Sequence, residues 1–273
     1  MPDQSRLKDG FFDGMKLSVI IPVYNEESTV GELLEKVLAV DIPKEVIVVD
    51  DGSRDKTIDI VREKAAATDQ VVKVQSNAVN VGKGAAIRHG LLHVTGDVVL
   101  IQDADLELDP QEYHMMVAPF ASGADVVYGS RFRGRGYFSY YRQVPFLSRF
   151  GNFVLAATIN LFWPWAHITD EATAYKAFRT EVIRSLPLKC NGFEFCPEVT
   201  ARILNRGIRI TEVPITYHPR TVEEGKKVSW KDGIKALWTL FKYRFLERET
   251  METQGESEKL KVNDSAEERI AAE

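Results

Sequence analysis

The 273-residue sequence holds only two cysteines, Cys190 and Cys196, with no second pair to complete a zinc site and no spacing that would staple a small scaffold. Both read as free thiols in a reducing compartment. No run approaches the roughly 18 apolar residues that a membrane span needs, and the opening "MPDQSRLKDGFFDGMK" lacks an apolar core of signal-peptide length. The expectation is a cytoplasmic chain that crosses no bilayer. Walker loops and internal repeats are absent, and the five histidines form no metalloprotease-type pair with an intervening Glu. His89 and His93, four apart on an expected helix, read as solvated or satisfied side chains.

Net charge is also small, at −5, and its distribution matters more than its sum. Nine acids against four bases lie between Glu247 and Glu273, so residues 1–246 are neutral overall. A neutral body argues against a nucleic-acid role. The tail is acidic and poor in aromatics, which predicts disorder or transient helix. Within the body, five arginines and no acids fall between Arg131 and Asn152, and seven bases face three acids between Thr216 and Leu246. Either segment suits phosphate groups or an anionic lipid surface, or is a solvated face.

What the sequence does have is alternation. "KLSVIIPVYN" and "EVIVVDDGS" are short β-branched runs that read as buried parallel strands. Between and after them, "STVGELLEKVLAV" and "SRDKTIDIVREKAAA" have helical apolar spacing, with Ser28 and Ser53 as expected N-caps. The pattern continues through the strand "VVKVQS", the helix "GKGAAIRHGLLHV", the strand "DVVLIQ", a helix "PQEYHMMVAPF" capped by Asp109 with Pro110 at its first position, and the strand "DVVYGS". Such βα repetition predicts a mostly parallel sheet covered on both faces.

Ligands of such sheets bind beyond the carboxyl ends of the strands, and "PVYNE", "DDGS", "NVGKG" and "DADLE" all fall there. Turns need polar residues but not carboxylates at successive strand ends. In an extended strand end Asp103 and Asp105 share a face, and two carboxylates so close call for a cation. Oxygen ligands without nearby His or Cys favour Mg²⁺ or Mn²⁺, which take remaining ligands from a diphosphate. The alternative is that both residues cap the turn before the Asp109 helix.

The ordered set "VIIPVYNE", "VVDDGSRDKT", "NVGKGAAIRHG", "DADLE", "YGSRF", "TDEATAYKAFR" and "PRTVEEGKK" resembles the family 2 glycosyltransferases of GT-A fold. Within that family it is most similar to the polyprenyl-phosphate sugar transferases typified by dolichyl-phosphate mannose and glucose synthases, from about Lys16 to about Phe245. The resemblance implies that Pro22, Tyr24 and Glu26 line the nucleotide pocket, that Asp51 reaches the base or ribose, and that Lys83 belongs to the donor site. It implies that Asp103, Asp105 and Glu107 form the metal motif, with Asp105 the more direct ligand. Arg131 looks like the arginine that meets a phosphate, and Arg220 and Lys226 like a pair that closes on the donor diphosphate. Mannosyl-phosphate synthases often carry Gln where this chain has Glu107, so a carboxylate would replace an amide at the ion.

This similarity implies an inverting transfer of a hexose from a UDP-glucose or GDP-mannose type donor to a polyprenyl phosphate. An ionised lipid phosphate needs positioning, by Arg131, rather than a base. A hydroxyl acceptor would call for a carboxylate base, for which Asp170 or Glu171 is the candidate. A third reading is a weakly catalytic nucleotide-sugar binding subunit of a membrane complex.

Two later segments bear on the lipid. "FGNFVLAATINLFWPW" is too short to span but suits an interface, and "SWKDGIKALWTLFKYRF" sets Ile234, Leu237, Trp238 and Phe241 at helical spacing among basic residues. Ordinary packing on the catalytic body is the other reading of that helix. The expected organisation is a flexible segment at 1–15, a GT-A domain at 16–217, an active-site loop and basic amphipathic helix at 218–246, and a disordered tail at 247–273. Peripheral attachment to the cytoplasmic membrane face follows from it.

Overall fold

A computed structural model describes residues 14–68, 71–133, 144, 146–220 and 230–247. The 1–13 segment, the 248–273 tail, residues 134–143 and Lys226 lie outside the described residues. The β-branched runs become β1 (Leu17–Val23), β2 (Lys44–Asp50), β3 (Val72–Ser76), β4 (Val98–Ile101) and β5 (Val126–Ser130). They are followed by β6 (Lys176–Arg179) and β7 (Ile210–Pro214) in one sheet of order β3-β2-β1-β4-β6-β5-β7.

Every pairing is parallel except those of β6, which runs antiparallel to both β4 and β5. The βα pattern alone does not show that reversal. The register Val23↔Asp50 aligns the ends of β1 and β2, so the residues that follow them emerge at one edge.

Alternate residues of each buried strand serve opposite faces. Ile20, Ile47 and Val49 pack on one side with α3 (Lys83–Leu91), α5 (Phe146–Phe162), α7 (Phe195–Asn205) and α8 (Trp230–Phe241). Val19, Ile21 and Val48 pack on the other with α1 (Val30–Ala39), α2 (Thr57–Ala66) and α4 (Tyr113–Ala121). Ile20 is fully buried, and its truncation to Ala is expected to cost about 2–5 kcal/mol. A short α6 (Thr180–Ser185) follows β6, and a π-helical turn, Lys242–Leu246, ends α8.

Two expected caps are corrected. Thr29 and Lys56, not Ser28 and Ser53, precede α1 and α2. Ser53 is used elsewhere: its hydroxyl accepts the Asn25 N–H and its own N–H donates to Asp50. Asp55 supplies the local bond to the Thr57 N–H at 3.0 Å. Asp109 does cap as expected, accepting from Gln111 N–H at 3.0 Å with Pro110 next in line.

Candidate active site at the carboxyl edge of the sheet

The segments after β1, β2, β3, β4, β5 and β7, and the one before β6, all reach the same sheet edge because β6 alone is reversed. They enclose a cavity of about 830 Å³ whose lining includes Pro22, Tyr24, Glu26, Asp51, Lys83 and Arg131. Asp103, Asp105, Glu107, Glu171, Tyr217 and Arg220 line it as well. Of the candidate site residues named from the sequence, Asp170 alone among those described is not on that wall.

Asp51 is buried and organises the loop that follows β3. One carboxylate oxygen accepts from Asn77 Nδ2 at 2.7 Å, and the other accepts the Gly82 N–H at 2.7 Å. Such bonds hold a carboxylate in place at modest net gain, about 1.5–3 kcal/mol each for a charged partner. Gly82 has φ +117°, and a Cβ there would lie 2.5 Å from the Asn191 carbonyl oxygen. That loop therefore rests directly on the backbone before α7, and Lys83 opens α3 beside it.

The "DADLE" carboxylates reach the cavity by a turn rather than by an extended strand end. β4 stops at Ile101, Leu106 adopts φ +60°, and Asp105 Oδ1 accepts the Glu107 N–H at 3.2 Å. A left-handed Leu is uncommon and costs backbone energy, as is frequent at functional sites. Lys83 Nζ lies 2.6 Å from Asp103 Oδ1. Arg220 donates to both oxygens of Glu26 at 3.1 Å and stands 3.4 Å from Asp105 Oδ2. Burial, with Asp103 and Glu107 adding, pushes the Asp105 carboxyl up to about 7, against the pull of Arg220. Burial alone would lower the Lys83 ammonium, yet Asp103 holds it above its ordinary value.

Glu107, expected at the ion, turns instead toward the segment after β7. Its oxygens accept from Tyr217 Oη at 2.8 Å and from the Arg220 N–H at 2.9 Å, and its carbonyl accepts the His218 N–H. It anchors the stretch that carries Arg220. Among the described residues no three carboxylate, imidazole or thiol groups converge on one point. The chain thus offers an incomplete oxygen set, Asp103 and Asp105, which suits a hard ion that completes its shell with diphosphate oxygens and water.

Asp170, a candidate base in the sequence, is fully buried and committed. Arg131 Nε and Nη2 donate to its two oxygens at 2.7 Å, and the Arg131 N–H adds a third bond at 3.0 Å. Both of its oxygens are thus engaged in holding Arg131. Tyr217 covers that guanidinium from 4.9 Å. Glu171 does face the cavity, with Thr200 Oγ1 at 2.9 Å and Lys176 Nζ at 3.7 Å, and burial pushes its carboxyl up to about 7. Asn77, Tyr217 and Thr200 are supporting residues that no sequence motif marked, and Lys176 lies within "TDEATAYKAFR" without having been singled out.

Apolar residues also line the cavity: Val154 and Leu155 of α5, Phe193, and Ile234 and Leu237 of α8, with Ser148, Asn152 and Asp232 from the same helices. Ala236 and Leu240 bury one side of α8, while Ile234, Trp238 and Phe241 are exposed, as are Phe146, Phe150 and Phe153 on α5. Packing and an outward apolar face thus coexist on one helix. No helix of the described residues is long and apolar enough to cross a membrane.

Comparison with known proteins agrees with this construction. Residues 18–186 match the family model described as glycosyl transferase family 2. An undecaprenyl-phosphate 4-deoxy-4-formamido-L-arabinose transferase of Edwardsiella ictaluri is 32% identical over 215 residues, covering 77% of this chain and 62% of its own. A dolichol-phosphate mannosyltransferase of Pyrococcus furiosus is 30% identical over 218 residues, covering 78% and 59%. The chain therefore spans about three fifths of the length of these relatives. Glucosyl-3-phosphoglycerate synthase of Mycobacterium tuberculosis, crystallised with Mn²⁺, UDP and phosphoglyceric acid, superposes with a TM-score of 0.62 at 22% identity over 85% of this chain and 80% of that one. The same enzyme has been crystallised with Mg²⁺ and UDP. That likeness is one of fold and identifies the sheet and its helices as GT-A, while the sequence match carries the classification: the chain belongs to glycosyl transferase family 2.

Proposed function

We propose that the protein transfers one hexose, with inversion, from a UDP-glucose or GDP-mannose type donor to a polyprenyl phosphate at the cytoplasmic membrane face, with Mg²⁺ or Mn²⁺ as cofactor. One observation carries this reading: a single cavity is lined both by the acidic and basic cluster at the sheet edge and by apolar residues of α5 and α8. A nucleoside diphosphate suits the first set and an isoprenoid tail the second. The outward aromatic residues of both helices, with exposed Lys231 and Lys235 beside them, suit an anionic lipid surface. The names of the Edwardsiella and Pyrococcus relatives, transferases to undecaprenyl and dolichol phosphate, support a polyprenyl-phosphate acceptor.

In this reading Pro22 and Tyr24 wall the nucleotide, and Asp51 keeps the loop at residues 77–82 in place beneath it. Asp103 and Asp105 would hold the divalent ion, which when bound supplies positive charge to the departing diphosphate. Lys83, Arg220 and, in the same region of the sequence, Lys226 add monovalent charge. Arg131, fixed by Asp170, orients the acceptor phosphate. An oxygen of that phosphate forms the new bond to the anomeric carbon as the bond from that carbon to the donor's β-phosphate oxygen breaks. The electron pair leaves on the nucleoside diphosphate, and no base is required because the acceptor is already ionised. Preorganised charge where the leaving group develops its own is the main source of acceleration.

A second reading rests on Glu171. A buried carboxyl at about 7 on the cavity wall is poised to take a proton from a hydroxyl acceptor. The deciding experiment incubates the protein with Mn²⁺ or Mg²⁺, a panel of UDP- and GDP-hexoses and a short polyprenyl phosphate, with products read by mass spectrometry. A hexose-phosphate lipid from one donor is expected. Donor hydrolysis without lipid glycosylation would overturn the acceptor assignment in favour of the hydroxyl reading.

A further inference from the structure

Each acid of the "DADLE" turn already has a partner in the fold. Lys83 sits on Asp103 at 2.6 Å, and Arg220 bridges Glu26 and Asp105 at 3.1 and 3.4 Å. Among the described residues these contacts join Glu26, Asp103 and Asp105 to Lys83 and Arg220, with Glu107 held by the Arg220 N–H, so carboxylates outnumber bases there. Arg131 is paired with Asp170, and Glu171 lies beside Lys176.

We propose that Lys83 and Arg220 are exchange counterions, which hold Asp103 and Asp105 until a divalent cation takes those oxygens and then turn together to the donor diphosphate. This rests on the donor-site reading above and adds to it how the two ligands of that site depend on each other. A divalent ion bound to Asp103 and Asp105 repels an ammonium and a guanidinium a few ångströms away. Once displaced, Lys83, whose side chain is mostly buried, stands with its carboxylate partner taken, a costly arrangement, while Arg220 keeps both oxygens of Glu26 and loses its longer contact to Asp105. A diphosphate replaces what each has lost. Cation and nucleotide therefore raise each other's affinity, and by linkage they do so by the same factor.

The sign of one substitution separates exchange from simple support. Lys83→Met removes the competitor for Asp103, so the variant binds Mn²⁺ alone more tightly than the wild type, while a merely structural lysine would leave that affinity equal or weaker. Mn²⁺ binding is read by electron paramagnetic resonance of the free ion, and UDP and GDP binding by calorimetry with and without Mn²⁺. In the wild type, Mn²⁺ is expected to tighten one nucleotide on the order of tenfold, with the reciprocal gain for the ion. In Lys83→Met the ion binds several-fold tighter and the mutual enhancement shrinks. Unchanged or weaker Mn²⁺ binding in a folded Lys83→Met overturns the exchange. Should that variant fail to fold, Lys83→Gln is measured in its place, and the wild-type linkage stands as a test of its own. A nucleotide that binds with no help from Mn²⁺ overturns the exchange and spares the donor site. Failure of both nucleotides to bind under any condition overturns the donor site and the exchange with it.

Discussion

Asp170 grips Arg131 with both carboxylate oxygens at 2.7 Å, across 39 residues of sequence and out of contact with solvent. A guanidinium held in this way has one orientation, and it is the orientation that faces the cavity. Removing either partner leaves the other as an uncompensated buried charge, a loss of about 3–5 kcal/mol. Asp170→Ala and Arg131→Ala are each expected to lower both thermal stability and turnover. The two effects on turnover are expected to overlap, the double variant being little worse than either single one. Kinetics of the four proteins of this cycle check the expectation, and fully additive losses would separate the two residues.

Glu171 sets a pH dependence of stability. Its carboxyl stands at about 7 in the folded protein because of burial, against about 4.3 in an unfolded chain. The folded state therefore binds this proton more tightly. The stabilisation from this group is complete below the unfolded value and is lost as pH rises through about 7. Glu171→Gln is expected to flatten the fall in melting temperature between mildly acidic and mildly alkaline buffer. Melting curves across that window, in wild type and variant, show it.

Glu107 ties the segment after β7 to the "DADLE" turn through Tyr217 and the Arg220 N–H. Tyr217→Phe deletes a hydrogen bond to a carboxylate, worth about 1.5–3 kcal/mol. Glu107→Ala deletes the anchor altogether. Both are expected to raise the donor KM while leaving Mn²⁺ affinity within a few-fold of wild type. A Glu107→Ala variant with lost Mn²⁺ affinity and an unchanged KM would return this residue to the metal.

Trp238 is largely exposed beside Ile234 and Phe241 on the outward side of α8, whose inward side carries Ala236 and Leu240. Sedimentation with anionic phospholipid vesicles is expected to fall on the order of tenfold in Trp238→Ser, since transfer of a large apolar side chain from water is worth about 1.5–3 kcal/mol. The melting temperature should stay near that of wild type. Equal vesicle binding by both proteins would remove this face from the membrane assignment.

The sequence was informative wherever structure is local. Runs such as "VIIPV" and "EVIVVD" are buried on both faces as parallel strands must be, so their pattern predicts the sheet and the edge at which Asp51, Asp103 and Asp105 collect. Asp109 and Pro110 mark their own turn. Ser28 and Ser53 mislead because a good cap residue can be claimed by a neighbour, as Ser53 is by Asn25 and Asp50. The pairing of Asp170 with Arg131, the turn of Glu107 toward Tyr217, and the direction of β6 depend on contacts between distant segments, which periodicity does not encode. Leu106 at φ +60° is invisible for a related reason: its conformation is imposed by the turn around it, not favoured by the residue.

The reversal of β6 brings segments of opposite direction to one edge. Loops that leave parallel strands supply Asp51, Lys83, Asp103 and Asp105, while Asp170 and Glu171 arrive on a segment entering the sheet from the opposite direction. The ladder from Val98↔Arg179 to Ile101↔Lys176 fixes where that segment ends, whatever precedes it. The residues between α5 and β6 are held from outside the ladder as well, Asp170 by Arg131 and the N–H groups of Thr169 and Asp170 by Glu212, so the segment is braced at both ends before it enters the sheet.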